Sequence, residues 1–350
     1  MTSPVHQLRA RIDAELLPII GGAPRRIVLL DAPDHPNVGD QAILLGELAF
    51  LRRHFPDARL HVASYTTYRA GLDDLVRSAD VVFLHGGGNF GDIWPQHHEF
   101  RLRMLETYRD RRLIQFPQSI SFSDPATLER TKAAIAGCAD FHLLARDRQG
   151  LAFAEAHFDC PVSLCPDMAF CLGPLEPRRA SLDVFCLFRT DKEVLEPKAD
   201  AVARRLDEAR LTYEIGDWLD DTSTARYLHG LLRRVSRRRL APHTVARHGA
   251  FAFEVYARSR LKHGIALLSR GELVLTDRLH GFILSTLLGR RRVVWDSLDG
   301  KIGAFHSTWL GDDRGVRFLH RVEELRTVIA PGPVTHRRAA QRAEVSGGVA

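Results

Sequence analysis

The chain has 350 residues, of which 45% are hydrophobic and 26% charged, and a formal net charge of +6 at pH 7. This is the composition of a globular protein with room for two domains of about 150 residues each. No apolar run of about 18 residues occurs, which argues against a membrane span, and no signal-peptide core is found, so we expect a cytoplasmic protein. The basic balance favours anionic partners of any kind.

Five cysteines, at positions 138, 160, 165, 171 and 186, form no Cys-x-x-Cys pair. An odd set without that spacing argues against a disulfide framework and a zinc ribbon, so we expect free thiols. No metal-ligand spacing stands out elsewhere, because the neighbouring His97 and His98 are expected on an exposed helix surface. We therefore predict no metal and no cofactor.

The first half alternates apolar strands with amphipathic helices. After an opening helix over 5–17, the predicted strand Arg26–Leu30 runs through Asn37-Val38-Gly39-Asp40 into a helix from Gln41, with Asp40 placed as its cap. Further elements are predicted at 60–64, 70–78, 81–84, 96–110, 112–116, 125–137, 141–145, 148–158 and 162–164. This alternation indicates a parallel, doubly wound sheet over residues 26–170.

A glycine-rich loop, His85-Gly86-Gly87-Gly88-Asn89-Phe90-Gly91-Asp92, follows the third strand. Consecutive glycines let the backbone approach a ligand and point its N–H groups inward. The match to Gly-x-Gly-x-x-Gly is weak evidence for a dinucleotide, since it follows a third strand and Pro95 interrupts the next helix. A hydrolase oxyanion loop is excluded because no Gly-x-Ser-x-Gly elbow occurs. A tight turn without a ligand is the structural alternative.

A linker is predicted at 173–177, Gly-Pro-Leu-Glu-Pro, between an N-terminal domain of residues 1–172 and a C-terminal domain of residues 178–335. A disordered tail is expected for 336–350. In the second half, strands at 182–188, 212–216, 273–275 and 292–296 alternate with helices at 197–210, 224–239, 251–270, 282–289, 302–309 and 320–330. The fold class is therefore α/β, with two Rossmann-like doubly wound domains facing a cleft.

The turn Thr276-Asp277-Arg278-Leu279-His280-Gly281 joins a buried strand to a helix, where open α/β sheets bind ligands. Arg278 can hold a carboxylate or phosphate with its planar fork, and the helix N-terminus adds N–H groups. His280 can exchange a proton near neutral pH. In the structural alternative, Asp277 caps the helix and pairs with Arg278, and His280 is a core residue.

Several turns together resemble one family, the polysaccharide pyruvyl transferases, which put pyruvate ketals on bacterial exopolysaccharide sugars. The resemblance depends on the order and spacing of motifs across about residues 26–310. These motifs are Asn37-Val38-Gly39-Asp40, Gly86–Asp92 with Trp94-Pro95, Pro117-Gln118-Ser119, Arg146-Asp147, Pro166-Asp167-Met168 and Asp277–Gly281.

The resemblance implies a glycosyltransferase-B-like fold, phosphoenolpyruvate as donor co-substrate and a sugar diol as acceptor. It implies a donor site in the C-terminal half with Arg189, Arg278 and His280. Lys301 is retained there, although the segment Asp296–Lys301 replaces the Asn-Ser-Tyr-Gly-Lys of many relatives. The acceptor or loop-binding residues on the N-terminal side are Asn37, Gly39, Gly87, Gly88, Asn89 and Gln118.

Ketal formation assigns chemical roles to these residues. Phosphoenolpyruvate carries a carboxylate and a phosphate, and two arginines could clamp one anionic group each. Its methylene carbon must be protonated, for which His280 is the first candidate. Asp40 or Asp92 would accept the hydroxyl protons of the acceptor, although either could instead cap a helix.

The predicted helix 224–239 could hold the protein against a membrane. It has an apolar stripe and a basic face, formed by Leu228, Leu231, Leu232 and Val235 and by Arg233, Arg234, Arg237, Arg238 and Arg239. Such a helix could rest on anionic lipid at the inner face of the membrane, which would suit a lipid-linked oligosaccharide acceptor. The alternative is a surface helix packed on its own domain.

Two other functions fit the same architecture. A nucleotide-sugar glycosyltransferase would bind a nucleoside diphosphate. A non-catalytic, glycan-binding member of a biosynthetic complex would be favoured if Arg189, Arg278 and His280 do not converge. Nucleic acid is not an expected partner, because no recognised binding module occurs. Neither the acceptor sugar nor the oligomeric state is predicted.

Overall fold

The computed structural model describes residues 3–190, 194, 198–219, 230, 242–297 and 300–329. They divide into two compact units. The first unit contains residues up to Gly173 and the described part of 221–261, and the second contains Pro174–Asp220 and residues from Lys262 onward. The division follows Gly173, within residues 173–177, and the described part of 221–261 groups with the first unit.

The sheet of the first unit consists of seven described strands, all paired in parallel. They are β1 (Arg26–Leu30), β2 (Arg59–Ala63), β3 (Val81–Leu84), β4 (Gly87–Gly91), β5 (Arg112–Ser121), β6 (Asp140–Ala145) and β7 (Val162–Leu164). Their order is β2-β1-β3-β5-β6-β7, with β4 paired to β5. Because β1 lies between β2 and β3, the strand order reverses there, which is where ligands bind in open α/β sheets.

Helices surround this sheet and bury its apolar residues. They are α1 (Pro4–Ile20), α2 (Val38–His54), α3 (Asp73–Arg77), α4 (Pro95–Thr107), α5 (Pro125–Ala136) and α6 (Arg148–His157), with 3₁₀ turns at Ala70–Leu72 and Met168–Leu172. The central helix α2 is buried along almost its whole length. Gly46 allows this packing, because a Cβ there would lie 1.9 Å from the Met168 carbonyl oxygen.

The second unit repeats the topology of the first with five described parallel strands. They are β8 (Leu182–Leu187), β9 (Tyr213–Gly216), β10 (Gly271–Thr276), β11 (Arg291–Val294) and β12 (Val316–Phe318), in the order β12-β11-β10-β8-β9. Its helices are α7 (Ala199–Glu208), α9 (Leu279–Leu287) and α10 (Lys301–Phe305), followed by a π-helical turn His306–Leu310 and a 3₁₀ turn Val322–Thr327. The helix α8 (Pro242–Leu268) starts in the first unit and ends in the second. The first strand of this unit, β8, lies between β9 and β10, so the order reverses at the carboxyl ends of β8 and β10.

Four local predictions were wrong. The glycine-rich loop is partly the strand β4, and β5 continues through Pro117 to Ser121, with a register shift between Gln115 and Gln118. The cap of α2 is Asn37 rather than Asp40, since its side chain accepts the N–H of Gly39. Pro95 does not interrupt the following helix but begins it, where a missing N–H costs nothing.

The five cysteines are free, as predicted. Among the described helices, none combines the length and the apolar character needed to cross a membrane. The predicted basic helix 224–239, apart from residue 230, and the tail 336–350 lie outside the described residues.

Candidate functional site

The turn after β10 is held against the end of β8 by Thr276. Its hydroxyl donates to the Leu187 carbonyl oxygen at 2.8 Å and accepts the N–H of Arg278 at 3.0 Å. Gly281 is required one turn later, because a Cβ there would lie 2.4 Å from Thr276 Oγ1 and 2.9 Å from Leu187 Cδ2. The helix α9 therefore begins in close contact with both strand ends, which fixes the backbone that carries Arg278 and His280.

Asp277 connects this turn to the loop after β8. Its Oδ1 accepts the backbone N–H of Arg189 at 2.8 Å, and its Oδ2 lies 3.2 Å from Lys198 Nζ. Asp277 and Lys198 are both 3% exposed, so the ion pair is shielded from water. Asp277 thus neither caps α9 nor pairs with Arg278, and the structural alternative for this turn was wrong on both points. Lys198, just before α7, belongs to no motif and was missed from the sequence.

Arg278 itself is buried and pairs with a carboxylate that follows β9, two strands away from β10 in the sheet. Its Nη2 lies 2.5 Å from Oδ2 of Asp217, the residue that follows β9. The same oxygen accepts the Thr190 hydroxyl at 3.0 Å. The carboxyl ends of β8, β9 and β10 therefore bring together Arg278, the loop that carries Arg189, and the buried Lys198, at the reversal of strand order.

The other predicted donor residues begin helices in the same unit. His280 lies, partly exposed, in the first turn of α9, and Lys301 is buried at the start of α10. Asp296 fixes the start of α10, because its Oδ1 accepts the N–H groups of Ile302 at 3.1 Å and Gly303 at 3.3 Å. Asp296 thus accepts N–H groups in the first turn of α10, although the cap residue itself is Gly300.

In the first unit, the loop after β1 lies next to the glycine-rich loop. Asn37 Nδ2 donates to Asp40 Oδ2 at 2.7 Å, and a Cβ added at Gly87, where φ is 120°, would lie 3.4 Å from Asp40 Oδ1. His35 Nε2 lies 3.7 Å from Asp40 Oδ2. The structure therefore brings together Asn37, Gly39, Asp40 and Gly87, with His35 as an additional neighbour.

Gln118 binds the glycine-rich loop from β5. Its Nε2 donates to the His85 carbonyl oxygen at 2.8 Å, and its Oε1 accepts the Asn89 N–H at 3.1 Å. Gly88 lies between these two anchored positions, within β4. Gln118 therefore holds the path of the glycine-rich loop through two hydrogen bonds.

A buried acid–histidine pair beneath this loop was missed from the sequence. Glu47 Oε2 lies 2.8 Å from His85 Nδ1, and Glu47 Oε1 accepts the Gly86 N–H at 2.8 Å. Burial alone would lower the pKa of His85, but the charge and hydrogen bond of Glu47 outweigh burial, so the pKa of His85 is raised. The signal was present in the sequence, since Glu47 stands alone among the apolar residues of α2.

A second buried cluster lies at the end of β1. Asp31, which adopts a left-handed φ of 61°, has Oδ1 2.8 Å from His97 Nδ1 and Oδ2 2.8 Å from Arg101 Nη2. All three residues are buried. Non-glycine residues in this conformation concentrate at functional sites. The reversal of strand order in the first unit is therefore lined by buried acids, histidines and an arginine.

The prediction that His97 and His98 are exposed was wrong, because α4 begins beneath the glycine-rich loop. His98 Nδ1 accepts the Gly91 N–H at 3.2 Å, and its Nε2 lies 2.8 Å from Thr131 Oγ1. Burial lowers the pKa of His98 to about 4, so the ring is neutral at pH 7. Neutral His98 can accept from Gly91 and donate to Thr131, which anchors the end of β4.

Asp92 has a local structural role. Its Oδ2 accepts the backbone N–H groups of Ser123 at 2.6 Å and Asp124 at 2.5 Å. This fixes the turn before α5, where Asp124 is the cap. Asp40 lies against the glycine-rich loop, whereas Asp92 is engaged by this turn.

A groove of about 780 Å³ opens at the opposite, amino-terminal edge of the first sheet. Its rim includes Arg25, Arg26 and Arg59, and its lining contains none of the predicted site residues. The described residues contain no group of three or more His, Cys, Asp or Glu side chains able to hold a metal ion. The absence of a metal and of a cofactor from the reaction stays a prediction.

The fold and these strand ends define a Rossmann-like α/β protein with an arginine-containing turn at the strand-order reversal of its second unit. A family model described as polysaccharide pyruvyl transferase matches residues 37–295. The chain therefore belongs to the polysaccharide pyruvyl transferase family and is a transferase.

Individual relatives agree with this assignment. The chain is 31% identical to pyruvyl transferase 1 of Schizosaccharomyces pombe over 82% of its own length and 70% of the relative. It is 31% identical to EpsO of Bacillus subtilis, provisionally named a pyruvyl transferase, over 85% and 89% of the two chains. A solved structure of an uncharacterized protein from Klebsiella pneumoniae matches 92% of this chain and 100% of its own with a TM-score of 0.58. At 17% identity, this last likeness shows the fold alone.

Proposed function

We propose that this enzyme transfers the enolpyruvyl group of phosphoenolpyruvate to a sugar diol of a cell-surface glycan intermediate, forming a pyruvate ketal and releasing phosphate. The supporting observation is the buried Arg278 at the carboxyl ends of β8 and β10, in a family named for pyruvyl transfer. A guanidinium suits a ligand with a carboxylate and a phosphate, because its fork matches the geometry of both groups.

Cations of the second unit would share the charge of the donor. Arg278 would clamp one anionic group and Arg189 the other. Lys198 and Lys301, both buried, would add positive charge behind them. Asp277 supports this arrangement, since it ties the Arg189 backbone and the Lys198 ammonium to the same turn.

The reaction needs one proton donor and one proton acceptor. His280 would give a proton to the methylene carbon, which becomes the methyl group of the ketal. An acceptor hydroxyl would add to the neighbouring carbon, the C–O bond to phosphate would break, and the second hydroxyl would close the ring. One hydroxyl proton would leave with the phosphate, and the other would pass from the base through solvent to His280, replacing the proton given to the methylene carbon. One molecule each of donor and diol therefore gives one ketal and one phosphate.

Asp40 is the better candidate for the base. It lies against Gly87 in the glycine-rich loop and near His35, whereas Asp92 accepts hydrogen bonds from a neighbouring turn. The loop residues Asn37, Gly39, Gly88, Asn89 and Gln118 would shape the acceptor site. We also propose that the acceptor is lipid-linked and that the enzyme contacts anionic membrane. The reaction would use phosphoenolpyruvate as co-substrate and no cofactor.

Calorimetry with phosphoenolpyruvate tests the donor site. We expect saturable binding to the wild type, a loss of at least about 100-fold in Arg278→Ala, since a charge-assisted pair is removed, and a loss below about tenfold in His280→Ala, whose role lies in proton transfer. Arg205→Ala is the matched control, because Arg205 pairs with Glu208 at 2.9 Å on the surface of α7 in the same unit.

The alternatives give different results in the same experiment. A nucleotide-sugar glycosyltransferase would bind uridine or guanosine diphosphate in place of phosphoenolpyruvate. Equal binding of phosphoenolpyruvate by the wild type and Arg278→Ala would place the donor elsewhere. Family membership favours pyruvyl transfer over both the nucleotide-sugar reaction and a non-catalytic role.

A further inference from the structure

The guanidinium proposed to bind the donor already holds a carboxylate of its own chain. Arg278 Nη2 lies 2.5 Å from Asp217 Oδ2, and the two side chains are 4% and 12% exposed. A pair this close and this well shielded is strong, because little water screens it. An incoming carboxylate or phosphate would therefore meet an arginine that is largely neutralised.

Asp217 has other partners that would keep it in place if Arg278 turned to a ligand. Its Oδ2 also accepts the Thr190 hydroxyl at 3.0 Å, and its Oδ1 accepts the Trp218 N–H at 2.7 Å. These two hydrogen bonds would stabilise the carboxylate after separation from Arg278, so the exchange does not leave a bare buried charge.

Asp277 differs from Asp217 in this respect. Both oxygens of Asp277 bind parts of the site itself, the backbone of Arg189 and the ammonium of Lys198. Losing either contact would loosen the turn. Asp277 is thus a fixed support, while Asp217 faces Arg278, a guanidinium proposed to bind the donor.

We propose that Asp217 is an exchangeable counter-ion, a positioning residue that holds Arg278 between turnovers and yields it to the anionic donor. The inference builds on the proposed donor site and adds a residue that controls its affinity. Binding replaces the Arg278–Asp217 pair by a pair between Arg278 and a donor oxyanion. Departure of phosphate restores the first pair, so Asp217 weakens donor binding and assists product release.

The test is the affinity of Asp217→Asn for phosphoenolpyruvate and for inorganic phosphate, measured by calorimetry at fixed ionic strength. Removing a competing charge that close to Arg278 should tighten both on the order of tenfold. In steady-state assays, inhibition by phosphate should strengthen by a similar factor and KM for the donor should fall. A residue that only braces the fold would not strengthen product inhibition.

Asp183→Asn is the matched control. It makes the same change of charge in the same unit, at the opposite end of β8, where Asp183 Oδ2 accepts the Thr212 N–H and hydroxyl at 2.7 Å each. Its affinity for both ligands should equal that of the wild type. Thermal unfolding of both variants with and without phosphate checks folding, and Asp217→Asn should gain more from phosphate than the wild type.

The outcomes separate this inference from the proposed function. Weaker donor binding in a folded Asp217→Asn protein would show that Asp217 is a rigid brace for Arg278, which overturns the exchange. If the wild type binds a nucleoside diphosphate instead of phosphoenolpyruvate, the proposed donor is wrong, and tighter nucleotide binding in Asp217→Asn would still support the exchange. If neither protein binds any of these anions, the exchange is overturned as well.

Discussion

The two units reverse their strand order in the same way but place different chemistry at that point. In the first unit, buried acids face histidines near the ends of β1 and β3: Asp31 after β1 faces His97, and Glu47 of α2 faces His85 after β3. In the second, the ends of β8 and β10 carry buried cations held by carboxylates, Lys198 by Asp277 and Arg278 by Asp217. One topology thus carries buried acid–histidine pairs in one unit and buried cation–carboxylate pairs in the other.

This difference separates what the fold decides from what the side chains decide. The strand order determines where several loops meet, because the carboxyl ends of adjacent parallel strands share one edge. The residues on those loops determine the ligand. A buried carboxylate raises the pKa of His85 and favours the charged form of its ring, whereas arginine stays charged and can bind anions.

The largest expected effect comes from breaking the pair in the first unit. Glu47→Ala leaves His85 and the Gly86 N–H buried without their acceptor and should lower the free energy of unfolding by about 3–5 kcal/mol, the cost of removing one partner of a buried pair. Chemical denaturation measures it. Glu129→Ala, which removes a pair between Lys132 and a 67%-exposed Glu129, should cost below about 1 kcal/mol.

Glu47→Ala should destabilise the first unit more than the second, because Glu47 and His85 both belong to the first unit. If Glu47→Ala unfolds at the wild-type denaturant concentration, the buried pair contributes nothing and the contrast between the two regions is lost. Glu47→Gln sharpens the test, since it keeps an acceptor for the Gly86 N–H but removes the charge. The pKa of His85, followed by NMR, should then fall relative to the wild type, because the carboxylate that raises it is gone.

A smaller effect is expected from adding a methyl side chain at Gly281, where no space is available for it. In Gly281→Ala the new Cβ would lie 2.4 Å from Thr276 Oγ1, so the start of α9 must shift, at a cost of about 1–3 kcal/mol for overpacking. Donor affinity should fall with stability because Arg278 moves with the helix. Gly311→Ala is the control, since its Cβ would meet nothing closer than 3.8 Å. A stable Gly281→Ala with unchanged donor binding would contradict a rigid donor turn.

Local patterns in the sequence were enough to predict most strands and the ends where ligands are expected. β1, β3 and β7 have the predicted bounds, and the turn after β10 lies at the reversal of strand order. Pattern reasoning works here because a buried parallel strand needs a short apolar run and the next helix needs a polar start. The motif residues Asn37, Asp40 and Gly87 also lie together in the structure.

The pairs that shape the two regions could not be predicted in this way. Lys198 pairs with Asp277 across 79 positions, and Asp217 pairs with Arg278 across 61. Which loops meet depends on the strand order, and no local pattern encodes that order. Burial of His97 was missed for the same reason, since its partner Asp31 lies 66 positions away.

The smallest effect concerns the support that α8 gives to α2, the helix that carries Asp40. Arg52 donates to both oxygens of Glu254 at 2.8 and 2.6 Å, and this hydrogen bonding lowers the pKa of Glu254. A lowered folded-state pKa stabilises the protein above pH 4.5, the ordinary value, and the contribution is lost as the pH falls through the folded-state pKa.

Glu254→Gln should therefore be less stable than the wild type at pH 7, by at most about 1 kcal/mol because Arg52 is half exposed, and the difference should close in acid. Glu272→Gln is the control in thermal unfolding, because it alters a pair between Arg290 and a 71%-exposed Glu272 in the second unit. Parallel curves for both variants would mean that the contact between α2 and α8 does not stabilise the first unit.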